Sequence, residues 1–403
     1  MSFASTVSCR MRQMIYRLNR RDRKAIRQSS EEGPGSVFAA AQILRSNRLK
    51  KPLVVIGSGA EELKDRLVRS LEESDFTYVL WEDLPACPTE EDVDSLRLAW
   101  IREVCDCFVV MGDGAAIDCV KAASLRAACR GRTLGQLTAG GEVSRRKLPP
   151  VAVIPTVPGS GAEALSWATV PDKFGRLLVP DGPAMVPAFL VMDPELLENV
   201  PRPALAGAVM DGICLAVEAY LSGYGDEQAR SMAASALKGF FSAAEPCWNS
   251  GGTPAQRTEL LHASRMAGLA ASFAGPGYAR ALCRSVLALY DSELGDVCAG
   301  ILPATLEKYG NQALDRLASL ASASGASSEE SKTARVSELI ARIRGLAFRL
   351  ALPDLAEILP ADDIVRIASL AASEANPRYA CPVVWSAEDL ADVLRIARTA
   401  RKQ

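Results

Sequence analysis

Cys107-Phe-Val-Val-Met-Gly-Asp-Gly-Ala-Ala-Ile-Asp118 is the stretch that decides the fold. Its first five residues show no alternation of polar and apolar side chains, so they make a strand buried on both faces. Gly112-Asp-Gly114 then breaks the run into a turn that opens a helix. The same unit recurs on both sides. Lys50-Lys-Pro-Leu-Val-Val-Ile56 is a short apolar strand ending in Gly57-Ser-Gly59, followed by a helix from Glu61 to about Glu73 and a strand at Phe76–Trp81. A second helix runs from Glu90 to about Val104, and Val151–Pro155 is a further strand that ends in Thr156-Val-Pro-Gly-Ser-Gly161. Buried strands alternating with helices imply a parallel sheet covered on both faces, an α/β domain of the dinucleotide-binding type. Upstream, Glu31-Glu-Gly-Pro-Gly-Ser36 reads as a turn and Val37 to Leu49 as an amphipathic helix. Past Pro201 and Pro203 the chain shows Ala- and Leu-rich helical periodicity and almost no strand signal, with residues 321–332 as a Ser/Ala/Glu linker. The expected organisation is an α/β domain over residues 1–200 and an all-α domain over residues 201–403.

Composition narrows the function classes. With 403 residues, 49% of them hydrophobic and 23% charged, the chain has the make-up of a globular protein of two domains. A formal net charge of -2 and a pI near 5.8 exclude a nucleic-acid surface spread over the whole molecule. No apolar run is read as reaching the length of a transmembrane helix, so no membrane span is expected. Eleven scattered cysteines without a Cys-x-x-Cys pair read as reduced, mostly buried thiols in a reducing compartment, the cytoplasm or the mitochondrial matrix. The matrix enters because the first thirty residues are Arg-rich and acid-poor, as presequences are; a basic first helix of the domain itself gives the same pattern. A single histidine, His262, removes every multi-histidine metal cluster from consideration.

Two kinds of site remain. The turns at Gly112-Asp-Gly114 and Thr156–Gly161 each follow a strand of the same sheet and offer backbone N–H groups to a phosphate. Asp113 opposes that use, since a carboxylate repels a pyrophosphate unless it points away. The second site is the apolar helical run Val209-Met-Asp-Gly-Ile-Cys-Leu-Ala-Val-Glu-Ala-Tyr220. Its only charges, Asp211 and Glu218, share one face with Leu215 between them. Asp followed four residues later by His would be a metal-binding turn, but Leu215 cannot bind a metal.

Pro85-Ala-Cys-Pro-Thr89, Gly112–Lys121, Ile154–Glu163 and Asp193-Pro-Glu-Leu196 resemble the iron-dependent (group III) alcohol dehydrogenases, and the resemblance runs almost end to end. Cys9-Arg10 with Gln13 resembles the start of one subgroup, and Asn376-Pro-Arg-Tyr379 the family's tail. The resemblance implies a nucleotide-binding α/β domain, a helical domain holding a divalent metal, and hydride transfer between a nicotinamide cofactor and an alcohol or aldehyde. It assigns cofactor contact to Gly112, Gly114, Asp118, Lys121, Thr156, Gly159, Ser160 and Gly161, for NAD or NADP. Gly57 stands where the family has an acidic residue on the adenosine ribose, which leaves NADP no worse than NAD. The family's metal is held by one Asp and three His. Here only Asp211 survives; Leu215, Arg280 and Leu294 occupy the histidine positions, and Val209 replaces a glycine beside them. Arg284 stands at a further family histidine that is not a ligand, and His262 matches no ligand position.

Two function classes follow. One is a degenerate family member without the metal, kept for cofactor binding or for a structural or assembly role, as a homodimer or within a protein complex. The other is a metal-independent NAD(P)H-dependent reductase of an aldehyde or keto acid, with Arg280 stabilising the developing alkoxide. Arg280 is expected to pair with Asp211 as a cation standing where the metal stood. Glu218 is expected to be a packing residue with a hydrogen-bond partner.

Overall fold

The computed structural model describes residues 3–19, 23, 26–140 and 147–399. It divides into two compact units, one of Met1–Arg21, Pro201–Gly252 and His262–Gln403, the other of Asp22–Val200 with Thr253–Leu261. The N-terminal helix groups with the helical unit, and nine residues after 252 group with the α/β unit.

In chain order the elements are α1 (Phe3–Asn19), β1 (Ser29–Glu32), α2 (Ala40–Ser46), β2 (Pro52–Ile56), α3 (Lys64–Glu72), β3 (Val79–Trp81), α4 (Glu90–Arg102), β4 (Cys107–Gly112), α5 (Gly114–Ala128), α6 (Leu134–Gly140), β5 (Val151–Pro155), β6 (Val170–Pro171), β7 (Leu177–Leu178) and β8 (Phe189–Met192). There follow α7 (Arg202–Leu221), α8 (Glu227–Ser250), α9 (Pro254–Ala274), α10 (Tyr278–Leu287), α11 (Leu294–Tyr309), α12 (Leu314–Ala323), α13 (Lys332–Arg349), α14 (Leu355–Ile358), α15 (Ile364–Ala375) and α16 (Ala387–Thr399).

The α/β unit is built on a six-stranded sheet in the order β1-β8-β5-β4-β2-β3, with every pairing parallel. Its central strands β2, β4 and β5 are buried along their whole length, as their unbroken apolar runs require. β6 and β7 form a separate antiparallel ribbon. Two local readings change. Glu31 and Glu32 belong to edge strand β1 rather than to the turn, paired with Val191 and Met192. The helix expected over 37–49 is a 3-10 turn at Ser36–Ala39 followed by the shorter α2. Asp193, fully buried, ties these edges together: its carboxylate accepts from the N–H groups of Gly35 (3.2 Å), Val37 (3.1 Å) and Glu195 (3.0 Å).

The helical unit is organised around α7, buried from Leu205 to Leu221 except at Ala208. It has the length and hydropathy of a membrane span, but 89% of the apolar window lies inside the protein, so it is a core helix. The start and the tail of the chain meet here: Arg10 donates to the carbonyls of Cys381 (2.9 Å) and Pro382 (2.8 Å), and Gln13 to that of Tyr379 (2.7 Å). The two ends quoted for the family resemblance thus form one contact.

Candidate functional site

The first candidate site lies within the helical unit, where α7, α10 and α11 converge. Asp211 sits mid-way along α7 and Arg280 in the first turn of α10, both buried. The guanidinium meets the carboxylate with both terminal nitrogens, Nη1 on Oδ1 and Nη2 on Oδ2 (3.4 Å), while its Nε is buried without a hydrogen bond. Burial works against both charges. It raises the Asp211 carboxyl, opposed by Arg280 and then Arg284. At Arg280 burial is overridden by the Asp211 carboxylate, which holds the guanidinium above its ordinary range. Bidentate geometry of this kind is the strong form of an arginine–carboxylate contact.

Around the pair, the positions the sequence singled out are apolar or already engaged. Val209 and Leu215 are buried on α7, and Leu294 begins α11, partly exposed. Arg284, one turn after Arg280, reaches Glu374 (3.0 Å) and the Tyr379 hydroxyl (3.2 Å). His262 is half-buried on α9. Among the described residues no group of three His, Cys, Asp or Glu side chains is placed to hold a metal ion.

Glu218, two turns along α7, caps α10: its oxygens accept the N–H of Gly277 (2.8 Å) and of Arg280 (3.2 Å). Burial pushes its carboxyl up to about 7, against the pull of those N–H donors. A Cβ on Gly277 would lie 2.5 Å from a Glu218 carboxylate oxygen, so a side chain there would push the carboxylate off the N–H groups it accepts from. Further along, α7 and α11 touch backbone to backbone. A Cβ on Gly295 would fall 1.8 Å from the Gly207 carbonyl oxygen.

Sequence reasoning missed one cluster. Cys214, Cys283 and Cys298 come from three different helices, α7, α10 and α11, into the same buried space; the Cys283 and Cys298 sulfurs are 3.3 Å apart. Cys298 and burial hold the Cys214 thiol well above its usual range, so these are neutral thiols. Their spacing in the chain gives no motif. Only the convergence of the helices reveals them.

The second candidate site is the pair of turns in the α/β unit. β4 and β5 run side by side with Gly112 opposite Pro155, and Thr156 N–H donates to the Gly112 carbonyl (2.9 Å), so both turns leave the same edge of the sheet. Gly114 and Ser160 are in contact: a Cβ on Gly114 would lie 2.6 Å from the Ser160 hydroxyl. Gly159 and Gly161 adopt φ of 141° and 68°, which side chains disfavour. Gly57, at the end of β2, has no room for a side chain, since a Cβ would meet that of Ala116 at 2.7 Å. The acidic residue the family carries there could not fit without moving α5.

Two of the assigned residues, Asp118 and Lys121, do structural work here, as does Asp113. Asp113 is the N-cap of α5, its carboxylate accepting the Ala116 N–H (3.0 Å), which occupies the helix N-terminus a phosphate would use. Lys121 is fully buried, with its ammonium committed to Asp118 (3.3 Å) and to the carbonyls of Ala162 (2.9 Å) and Trp167 (2.5 Å). Asp118 in turn accepts the Thr169 N–H (2.8 Å). Asp118 and Lys121 therefore fasten the loop after Gly161, whereas Gly112, Gly114, Thr156, Gly159, Ser160 and Gly161 form the turns themselves.

The family model described as iron-containing alcohol dehydrogenase matches residues 30–194, and that of its C-terminal region matches residues 205–398. A probable alcohol dehydrogenase of Escherichia coli, EutG, is 29% identical over 324 residues, covering 79% of this chain and 81% of its own. The choline dehydrogenase of Bacillus subtilis is 23% identical, covering 73% and 74%. Among solved structures, an alcohol dehydrogenase from Oenococcus oeni superposes with a TM-score of 0.85 at 23% identity, covering 92% of this chain and 98% of that one. A sulfoacetaldehyde reductase from Bifidobacterium kashiwanohense, in complex with NAD+, gives 0.81 at 20% identity, covering 93% and 98%.

Proposed function

The chain belongs to the iron-containing alcohol dehydrogenase family, and from that premise we propose that it is a member that has given up the catalytic metal and acts through nicotinamide-dinucleotide binding or through assembly rather than through metal-dependent hydride transfer. The observation that carries this reading is the buried Asp211–Arg280 pair. A divalent cation needs about three protein ligands and an open position for the substrate oxygen. The donor set here is one carboxylate, and a fixed cation already holds it. A second cation at the same point would face the guanidinium across a dry interior, where like charges repel strongly. The metal does not fit these residues, so no step is routed through it.

The reductase alternative asks Arg280 to donate to a substrate oxygen. Its guanidinium is 3% exposed and both terminal nitrogens are engaged by Asp211, so the geometry supports it less. For the cofactor, Gly112, Gly114, Thr156, Gly159, Ser160 and Gly161 keep the form of a phosphate cradle, while Asp113 weakens it by filling the α5 N-terminus. Binding of NAD(H) or NADP(H) is accordingly weak, and Asp113→Gly strengthens it, because glycine is a tolerable N-cap that removes the competing charge. Isothermal titration of both proteins with the four dinucleotides tests this.

The metal is tested by elemental analysis after incubation with Fe2+ or Zn2+ and desalting. Below about one tenth of an equivalent is expected, since too few ligands remain. A stoichiometric ion whose retention depends on Asp211 would overturn the reading. Turnover of aldehydes or keto acids with NADH or NADPH that resists a chelator and disappears in Arg280→Lys would instead favour the reductase.

A further inference from the structure

Helix α1 is amphipathic in the unexpected sense: its polar side faces the protein. Cys9 and Gln13 are buried, and Gln13 and Arg10 hold the helix down through their bonds to the carbonyls of Tyr379, Cys381 and Pro382. The outward side carries Val7, Met11, Met14 and Ile15, exposed by 41%, 62%, 70% and 60%. Twelve large hydrophobic side chains are exposed among the described residues, and with Tyr16 five of them fall within ten residues of this helix. At about 100° per residue, the stripe from Met14 through Val7 and Met11 to Ile15 spans roughly 100°, with Arg12 and Arg17 about 60° beyond its two edges. The helix has three arginines and no acidic residue.

We propose that α1 is a docking helix for an anionic lipid surface, with the Val7-Met11-Met14-Ile15 stripe entering the headgroup–acyl boundary and Arg12 and Arg17 pairing with lipid phosphates on either side. Charge complementarity selects this occupant. A second copy presenting the same helix would set arginines against arginines, whereas an anionic membrane supplies the missing negative charge. The form of the face agrees: four exposed hydrophobic side chains make one continuous stripe and cations flank both edges, as in helices that lie in the plane of a bilayer surface. The helix is seated before it binds, so membrane binding does not have to fold it.

The experiment is co-sedimentation of the full chain with sucrose-loaded vesicles of phosphatidylcholine alone, or with three tenths phosphatidylserine, at low and high ionic strength. The protein is expected to pellet with phosphatidylserine vesicles at low salt, at least ten times less with phosphatidylcholine, and far less at high salt. Arg12→Gln/Arg17→Gln should lower the partition about twenty-five-fold, taking about five-fold per arginine, and Met14→Glu should abolish it. Both variants should keep the wild-type melting temperature, because the positions are exposed. No binding to phosphatidylserine vesicles at low salt, or binding unchanged by either variant, overturns the proposal. A sedimentation-velocity dimer that Met14→Glu dissolves, without vesicle binding, would show that the face is occupied by a second copy instead.

Discussion

A guanidinium cannot lose its charge near neutral pH, so Arg280 supplies a fixed cation to the buried Asp211 carboxylate and the two residues behave as one unit. Arg280→Leu strands a buried carboxylate and is expected to cost on the order of 3 kcal/mol or more, read from urea midpoints at pH 7. Adding Asp211→Leu to that variant should recover most of the loss, since an apolar pair of similar volume replaces a buried ion pair at little cost. A neutral Arg280→Leu would mean the pair is not holding the helices together. Glu218 gives a pH signature of opposite origin. Its folded carboxyl titrates at about 7, above the model-peptide 4.5, so the native state binds the proton more tightly than the unfolded chain. Its contribution is therefore complete below pH 4.5, is lost as pH rises toward 7, and is constant beyond. The difference is worth on the order of 3 kcal/mol. Glu218→Gln removes it, so the stability of wild type relative to this variant should fall by that amount between pH 4.5 and 7. Parallel curves across the window would contradict the assignment.

Between elements, the closest approach is that of α7 and α11 at Gly207 and Gly295. The clash a Cβ on Gly295 would make is with backbone, which no rotamer change relieves. Gly295→Ala is expected to destabilise the helical unit by about 3 kcal/mol, at the upper end of overpacking costs, measurable as a lowered thermal midpoint. This contact was invisible in the sequence, where Gly295 is one glycine among 29. What could be read were the elements whose patterns are local. β2, β4 and β5 show unbroken apolar runs, and α7 shows an apolar helix with two charges. β1 was hidden because Ser-Ser-Glu-Glu is a polar edge strand that takes its conformation from β8 rather than from its own residues. The site divides in the same way. Asp211 facing Arg280 follows once the family's ligand positions are laid over the chain. The thiol cluster and the capping of α10 by Glu218 need the three-dimensional convergence of helices far apart in sequence.

At the scale of the whole molecule, the chain keeps the fold of these two solved structures at TM-scores above 0.8, while on the proposed reading it lacks the metal. That separation makes the site open to reconstruction. The triple variant Leu215→His, Arg280→His and Leu294→His offers four ligands with Asp211, and is expected to take up close to one equivalent of Zn2+ where each single variant takes none. Val209→Gly should strengthen uptake by clearing the space beside them, which elemental analysis of the quadruple variant would show. The buried Arg280–Asp211 contact has a consequence for how such a protein changes over generations. Arg280→His alone forfeits the partner of Asp211, and a histidine at 215 or 294 alone places an imidazole in an apolar interior with nothing to coordinate. On the proposed reading no one of these substitutions completes a metal site, so none is rewarded until the last is taken. On that proposed reading the contact therefore works as a ratchet: with the arginine settled against the aspartate, no single substitution among these positions regains a metal site.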